Sequence, residues 1–217
     1  MKNNNAHVIG VNGNMVKVAF EGTLSKNEVG YIHVGTSRLK GEVIRVNGSE
    51  ASMQVFEMTG SIAVGDEVEF SSELLSVELG PGLLTQIYDG LQNPLPDLAA
   101  QCGFFLQRGV YLDPIPSKDW EFTPVVKVGD RLRPADAVGT VMEGIFTHRI
   151  MVPFSFEDED WTVTHIVEKG VYNVRSEVAR LKSAKGVERS LTMVFSWPVK
   201  KAIKCYRERL RPDETLV

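Results

Sequence analysis

The sequence predicts a mainly β protein in which a small amino-terminal β-barrel, a short helical connector and a second β-rich, barrel-sandwich-like inserted domain follow one another. Three observations predict this fold class. Short apolar-polar alternations fill both ends of the chain, turn residues recur about every 8–12 residues between them, and helical spacing is confined to the middle. The predicted boundaries are 1–71 for the barrel, 72–110 for the connector, 111–192 for the inserted domain and 193–217 for a basic carboxy-terminal connector.

The composition is that of an ordinary soluble globular chain. Of its 217 residues, 43% are hydrophobic and 24% are charged, which excludes wholesale disorder. The formal net charge of −4 gives no general affinity for nucleic acid or for an anionic membrane surface. Cys102 and Cys205 make no disulfide framework and fit a reducing compartment. The start of the chain is not a signal peptide and no apolar run is long enough to span a membrane, so we expect a cytoplasmic location.

The amino-terminal barrel is predicted from short strands. They are expected over Met15–Phe20, Gly41–Val46, Ala51–Phe56 and the turn-to-strand segment Val64–Val68. Asn47-Gly48 predicts a hairpin with a type I′ turn, in which both central residues have positive φ. Closure of such short strands into a barrel removes the exposed edges of the sheet.

Two short helices are predicted in the connector. The first is indicated by helical spacing of Leu83, Leu84, Ile87, Tyr88 and Leu91. Gly90 and Pro94 follow where this helix should end. The second helix is predicted to begin around Pro96-Asp97, with Leu98 and Cys102 on its apolar face, because proline and aspartate are favourable in a first turn.

The inserted domain is predicted to begin after the break at Asp113–Pro116, where prolines forbid regular structure. Strand fragments are expected over 128–132, 137–141, 150–152, 161–167 and 170–174. The final twenty residues lose the β pattern and carry the basic residues Lys200, Lys201, Lys204, Arg207, Arg209 and Arg211. Because few aromatic residues are interleaved with them, this tail favours a connecting segment or an interface over a nucleic-acid site.

No residue set typical of catalysis, cofactor binding or metal binding is complete, so no such site residues are expected. The glycine-rich piece Gly80-Pro81-Gly82 lacks a lysine and predicts a structural turn. The cysteines and the four histidines are not clustered as zinc ligands, and the histidines are interpreted as surface or packing residues: His7, His33, His148 and His165. The acidic run Glu157–Asp160 lacks the central glycine of a calcium loop and predicts a solvated loop.

Residues 126–141 resemble the first half of a biotinyl or lipoyl carrier domain, a flattened β-sandwich with a modified lysine at a hairpin tip. At the corresponding tip this chain has Glu143–Arg149, without a lysine. We therefore expect the shape without a covalently attached cofactor. A stand-alone β-rich binding module, related to such carriers or to translation-factor barrels, is the alternative function.

A longer resemblance covers nearly the whole chain. Residues Leu75–Leu84 and Ile87–Leu95 resemble the catalytic A subunit of V-type and A-type rotary ATPases. Further matches to that subunit are Gly41–Arg45 and Gln54–Gly60 in its barrel, and His148–Pro153 and Trp197–Val199 in its inserted region and the exit from it. Two positions depart from the family: Asn93, where arginine is usual, and Phe154-Ser155-Phe156, where a Pro-Gly turn is usual.

The resemblance implies a parent protein that hydrolyses or synthesises ATP, with Mg, and couples this to proton or sodium transport. The family continues into a nucleotide-binding domain with a Gly-Lys-Thr loop, whereas this sequence ends at Leu216-Val217. The resemblance therefore implies an amino-terminal fragment that is an inactive assembly scaffold without a cofactor. The implied partners are the B subunit in an alternating hexamer and the central and peripheral stalk subunits; contact with nucleic acid is not expected, and the membrane is reached only through the assembled complex.

Overall fold

The computed structural model describes residues 5–103, 105, 107–156 and 159–205. Within this part of the chain there are sixteen strands and one short helix, which confirms the predicted mainly β fold class. The chain divides into two compact units. The first unit comprises the described residues through Val77, Ile87–Asp113 and Pro198–Lys200, and the second comprises Glu78–Gln86, Pro114–Trp197 and the described residues from Lys201 onward.

The first unit is built on one six-stranded antiparallel sheet. Its strands are β1 (Ala6–Asn12), β2 (Met15–Phe20), β3 (Glu28–Val34), β4 (Ser37–Asn47), β5 (Glu50–Val55) and β6 (Val68–Leu74), in the spatial order β1-β2-β5-β4-β3-β6. The two ends of the sheet meet, because His7 bridges to Glu67 and the main-chain nitrogen of Val8 lies 2.9 Å from the carbonyl oxygen of Asp66. The sheet therefore curls into the predicted barrel.

The barrel core follows from the alternation of apolar residues along these strands. Fully buried side chains point inward from five of the six strands: Val8, Val16, Val18, Ile32, Leu39, Val43 and Met53. Glycine is required beside Met53, because a Cβ atom on Gly41 would lie 2.6 Å from the Met53 Cε atom and 2.7 Å from the Gln54 carbonyl oxygen. The side chain of Met53 fills the space that Gly41 leaves.

The predicted hairpin forms, but its turn lies one residue later than the predicted type I′ turn at Asn47-Gly48. Asn47 still belongs to β4 and pairs with Glu50, so the two central residues are Gly48 and Ser49. Only Gly48 of these has a positive φ, 59°, as a type II′ turn with glycine at its first central position requires. Asn47 remains extended, and its Oδ1 atom accepts a hydrogen bond from Nε of Arg45.

The connector contains one of the two predicted helices. The second is confirmed as α1 (Leu95–Cys102), which buries Leu98 and ends at Gly103 with φ 71°. The first, over residues 83–91, is wrong. Thr85 has φ 64°, and the main-chain nitrogen of Leu91 donates to the carboxylate of Asp89, so helical hydrogen bonds are replaced by side-chain acceptors.

The second unit contains two four-stranded antiparallel sheets. Its strands are β8 (Asp119–Pro124), β9 (Arg131–Leu132), β10 (Ala137–Glu143), β11 (Phe146–Met151), β12 (Trp161–Ile166), β13 (Gly170–Asn173), β14 (Ala179–Ser183) and β15 (Glu188–Leu191). The orders are β11-β10-β8-β13 and β15-β14-β12-β9. Both sheets contribute to one core, with Phe122 from the first and Trp161 and Leu181 from the second. This arrangement is the predicted barrel-sandwich-like domain.

A two-stranded sheet pairs β7 (Ser76–Leu79) with β16 (Phe195–Pro198). Strand β16 lies inside the segment predicted as a basic connector, and 199–205 contains no strand. The basic residues Arg207, Arg209 and Arg211 of the predicted tail lie outside the described residues. In the part of the chain that the structure describes, no helix has the length and apolar character needed to cross a membrane.

Candidate functional site

The glycine-rich segment Gly80-Pro81-Gly82 forms the predicted structural turn, in the loop that follows β7. Gly80 is buried, and a Cβ atom there would lie 2.9 Å from the carbonyl oxygen of Met193. Gly82 has φ 107°, a conformation that side chains rarely adopt. These glycines therefore shape a tightly packed loop.

A buried carboxylate holds this loop. Glu143, the last residue of β10, is 6% exposed. Its Oε1 atom accepts hydrogen bonds from the main-chain nitrogens of Gly82, at 2.6 Å, and Leu84, at 3.0 Å. Its Oε2 atom lies 2.8 Å from Nδ1 of His148 on β11, which donates to it because an ionised carboxylate only accepts. We call Glu143, His148 and the two loop nitrogens the Glu143 clamp.

A second contact fixes strand β7, which leads into the same loop. The guanidinium group of Arg175 binds both carboxylate oxygens of Glu78, at 3.1 and 3.0 Å, and also donates to the carbonyl oxygen of Ile115 at 3.2 Å. The paired geometry of an arginine and a carboxylate defines an orientation as well as a distance. The chain is therefore held at Glu78, in the strand that leads into the loop, and within the loop at Gly82 and Leu84.

In the first unit, Asn93 organises the segment before α1. Asn93 is 4% exposed, its Nδ2 atom donates to Oδ2 of Asp89 at 2.8 Å, and its Oδ1 atom accepts from the main-chain nitrogen of Leu112 at 2.8 Å. At this position the sequence predicts a departure from the arginine of the resembling family. An amide donates and accepts at once, whereas an arginine side chain has no acceptor, so the contact with Leu112 depends on asparagine.

A tyrosine–glutamate pair closes the other side of this segment. The hydroxyl of Tyr111 donates to Oε1 of Glu57 and accepts a hydrogen bond from the main-chain nitrogen of Lys40 at 2.7 Å, while Oε2 of Glu57 accepts from Gly109 at 2.9 Å. Burial, with the hydrogen bond to Glu57, raises the pKa of Tyr111. Burial lowers the pKa of Lys40, and the charge of Asp89 opposes this shift.

The predicted histidine and cysteine positions are distributed over separate elements. His7 lies on β1, His33 lies 3.4 Å from Glu69, and His165 is exposed on β12. His148 has a more specific position than the surface or packing role expected of it, because it is a partner of Glu143. Cys102 ends α1, and Cys205 follows β16.

The acidic run is partly described. Glu157 and Asp158 lie outside the described residues, and Glu159 lies 3.9 Å from Nζ of Lys185. Among the described residues, no group of three His, Cys, Asp or Glu side chains is arranged to hold a metal ion.

Aromatic packing holds Phe154–Phe156, the second segment that the sequence predicts to depart from the resembling family. The ring of Phe154 makes edge-to-face contacts with Phe195 and Trp197, at centroid distances of 5.1 and 5.6 Å. The ring of Phe156 lies 4.7 Å from that of Trp161 in the core of the second unit. Such contacts stabilise a packed aromatic segment.

Sequence reasoning missed Glu143 as an anchor, although a signal was present. Val141 and Glu143 are two residues apart on β10, so both point to the core face of the strand. A glutamate at a core position needs hydrogen-bond donors, and this requirement indicates a structural or functional anchor. The position of its donors in a loop 61 residues earlier could not be obtained from strand periodicity.

Two family models match the two units. The model of the ATP synthase alpha/beta family beta-barrel domain matches residues 8–72, and that of the ATPsynthase alpha/beta subunit barrel-sandwich domain matches residues 113–200.

Similar proteins include V-type ATP synthase alpha chain 1 of Treponema pallidum and the V-type ATP synthase alpha chain of Treponema denticola. Each is 56% identical over 211 residues, which are 97% of this chain and 36% of the relative. The V-type ATP synthase alpha chain of Borreliella afzelii is 50% identical over 216 residues, 99% of this chain and 37% of its own. The chain thus spans little more than a third of the length of these relatives. The chain matches two domain models of one family in order, and at least half of its aligned residues are identical to those of the three relatives. The chain therefore belongs to the ATP synthase alpha/beta family, in the group of the V-type ATP synthase alpha chains.

Proposed function

We propose that this chain acts as the assembly scaffold of the catalytic A subunit of a V-type ATP synthase. Its barrel joins the barrels of B subunits in an alternating hexamer, and its second unit contacts stalk subunits. The similarity to V-type ATP synthase alpha chains over nearly the whole chain supports this proposal. In the parent protein, hydrolysis or synthesis of ATP with Mg is coupled to proton or sodium transport in a membrane-associated complex that faces the cytoplasm.

The Glu143 clamp is the observation that carries the scaffold assignment. The carboxylate accepts hydrogen bonds from Gly82, Leu84 and His148, so the loop keeps its shape through contacts within the second unit. Hydrogen bonds to a charged group contribute about 1.5–3 kcal/mol each, more than neutral ones. A loop fixed in this way holds its shape before any ligand or partner binds, as a scaffold requires.

The barrel adds a second element of rigidity. Strand β1 meets the segment just before β6 through the His7–Glu67 bridge and the Val8–Asp66 hydrogen bond, so the two ends of the sheet are joined at this point. A sheet whose two ends are joined is stiffer than an open sheet. Such stiffness suits a ring of subunits that must resist torque. We therefore assign the binding of ATP and Mg to the parent protein and expect neither in this chain.

Calorimetric titration of the chain with Mg-ATP tests the assignment, with a full-length V-type ATP synthase alpha chain titrated in parallel. We expect heat of binding for the full-length protein and none for this chain. Submicromolar binding of Mg-ATP to this chain would contradict a scaffold role.

A further inference from the structure

Strand β11 has an open edge. It lies at the end of its sheet and pairs with β10 alone among the described strands. The two-residue turn Gly144-Ile145 makes Glu143 and Phe146 a hydrogen-bonded pair, so hydrogen-bonded and non-hydrogen-bonded pairs alternate from there. Thr147 and Arg149 occupy the non-hydrogen-bonded positions. Their main-chain N–H and C=O groups therefore face away from β10, toward the open edge.

A cavity of about 270 Å³ runs along this edge. Four consecutive residues of β11, His148–Met151, line it. Successive side chains of a strand point to opposite faces, so four in a row line one cavity only where it lies alongside the main chain. The other walls are mostly apolar and include Leu79, Leu83, Met193 and Phe195. All of these residues belong to the second unit.

Arg149 places a positive charge at the cavity. Its ionisable lining residues are His148 and Arg149, and Arg149 is exposed. The carboxylate of Glu143 accepts from Gly82 and Leu84 and pairs with His148, and Glu143 is not among the residues that line the cavity. An apolar cavity with an exposed arginine at its rim is complementary to an apolar side chain next to a carboxylate.

The hairpin tip beside the cavity is unusually apolar. In three other glycine-first turns of this chain the second central residue is Asn14, Thr36 or Ser49, whereas here it is Ile145, which is 87% exposed. Met142, on the neighbouring strand, is 60% exposed. The apolar surface thus continues from the cavity over the tip.

We propose that the open edge of β11 binds an extended acidic-apolar peptide segment of a partner protein by strand addition. The peptide pairs its main chain with Thr147 and Arg149, places a large apolar side chain in the cavity, and places the carboxylate of a neighbouring residue beside Arg149. Strand addition obtains affinity from main-chain hydrogen bonds and specificity from such side-chain pockets. The scaffold role assigns stalk contacts to the second unit without naming a surface for them, and this peptide-binding edge goes beyond that role.

The test uses the peptide acetyl-Thr-Val-Glu-Leu-Thr-amide and the ¹⁵N-labelled chain. We expect chemical-shift changes concentrated at Thr147 and Arg149, and amide exchange of these two residues slowed at least tenfold at saturation. Replacing the peptide's glutamate by lysine should weaken binding at least fivefold. No binding at millimolar peptide, or shifts that cluster elsewhere, would overturn the proposal.

Two variants separate strand addition from other kinds of binding. Thr147→Pro removes an outward N–H without removing a hydrogen bond to β10, and proline is tolerated on an edge strand, so affinity should fall at least tenfold. Arg149→Glu should weaken binding to a similar extent, whereas Arg131→Glu, at an exposed position of β9, should leave it unchanged.

Binding that both edge variants leave intact overturns the proposal. Decanoate that competes with the peptide and binds Thr147→Pro as well as the unchanged chain would identify a site for small amphiphiles instead. Sedimentation showing a dimer that Thr147→Pro dissociates would identify a second copy of this chain as the occupant. Either result also overturns the peptide proposal.

Discussion

The Oε1 atom of Glu143 lies 2.6 Å from the main-chain nitrogen of Gly82, so the end of a β-hairpin fixes a loop 61 residues earlier in the sequence. His148, across the hairpin, holds the other oxygen of the same carboxylate. The loop contains part of the segment that resembles the A subunit of rotary ATPases. Contacts within the second unit therefore set the shape of a loop that carries part of this resemblance.

Replacing Glu143 tests this relationship. Glu143→Ala leaves the main-chain N–H groups of Gly82 and Leu84 without their acceptor, and we expect the free energy of unfolding of the second unit to fall by about 2–4 kcal/mol. Amide exchange at Gly82 and Leu84 should become faster in the native state. Denaturant unfolding followed by NMR measures both effects.

The control for this substitution is Glu121→Gln in the same unit. Glu121 is 65% exposed and lies 3.2 Å from Nζ of Lys169, so its loss should change stability by less than about 0.5 kcal/mol. A Glu143→Ala variant that is as stable as the control would show that the clamp does not hold the loop.

Tyr111 makes the stability of the first unit depend on alkaline pH. Burial raises the folded-state pKa of Tyr111, so the folded chain keeps this proton at pH values where the unfolded chain loses it. The stabilising contribution is complete below the ordinary tyrosine pKa of about 10 and is lost as the pH rises above it. Unfolding free energies measured from pH 8 to 11.5 should fall more steeply for the unchanged chain than for Tyr111→Phe.

The comparison with Tyr111→Phe isolates the contribution of the Tyr111 hydroxyl to the pH dependence of stability. Lys40 has a lowered pKa and contributes with the opposite sign, because the unfolded chain keeps the Lys40 proton to higher pH than the folded chain does. Lys40 is present in both proteins, so its own contribution largely cancels in the difference. Equal slopes for the two proteins above pH 10 would contradict the assignment to Tyr111.

Gly139→Ala tests the close packing of the sandwich core. A Cβ atom on Gly139 would lie 2.2 Å from ring carbons of Phe122 and 2.9 Å from the carbonyl oxygen of Thr123. Relieving such overlap requires movement of a buried ring, with an expected loss of about 1–3 kcal/mol. Gly10→Ala is the control, since the nearest atom to its Cβ would be 3.9 Å away. Thermal unfolding in which Gly139→Ala matches this control would contradict the packing.

Substitutions in the turn between β4 and β5 distinguish the observed type II′ turn from a type I′ turn. In the observed turn, Gly48 has the positive φ and Asn47 is extended, so Gly48→Ala should lower stability by about 1–2 kcal/mol. Asn47→Thr should change it by less than about 0.5 kcal/mol. The reverse ranking in denaturant titrations would favour the type I′ turn that the sequence predicted.

The same hairpin shows which structural features the sequence pattern can predict. Alternation of apolar residues predicted β2 and β5 nearly to the residue, because burial on one face of a strand determines that pattern. It could not determine which residues occupy the turn, since Asn47-Gly48 and Gly48-Ser49 both offer a glycine. The register of the paired strands, in which Asn47 pairs with Glu50, decides between them.

The connector shows where pattern reasoning failed. Leu84 and Ile87 have the spacing of a helix but are 41% and 66% exposed, because their segment is shaped by hydrogen bonds to Glu143 and Asp89. Both acceptors are side chains, and that of Glu143 comes from a distant strand. The first-turn residues Pro96-Asp97 therefore predicted α1 correctly, whereas helical spacing wrongly predicted a helix over 83–91. Neither signal predicted the Glu143 clamp or the pairing of Tyr111 with Glu57.

Sedimentation velocity of this chain mixed with the B subunit of a V-type ATP synthase tests the scaffold role most directly. We predict a boundary that contains both proteins and sediments faster than either alone, with no requirement for Mg-ATP. Two independent boundaries at micromolar concentrations would contradict the scaffold role.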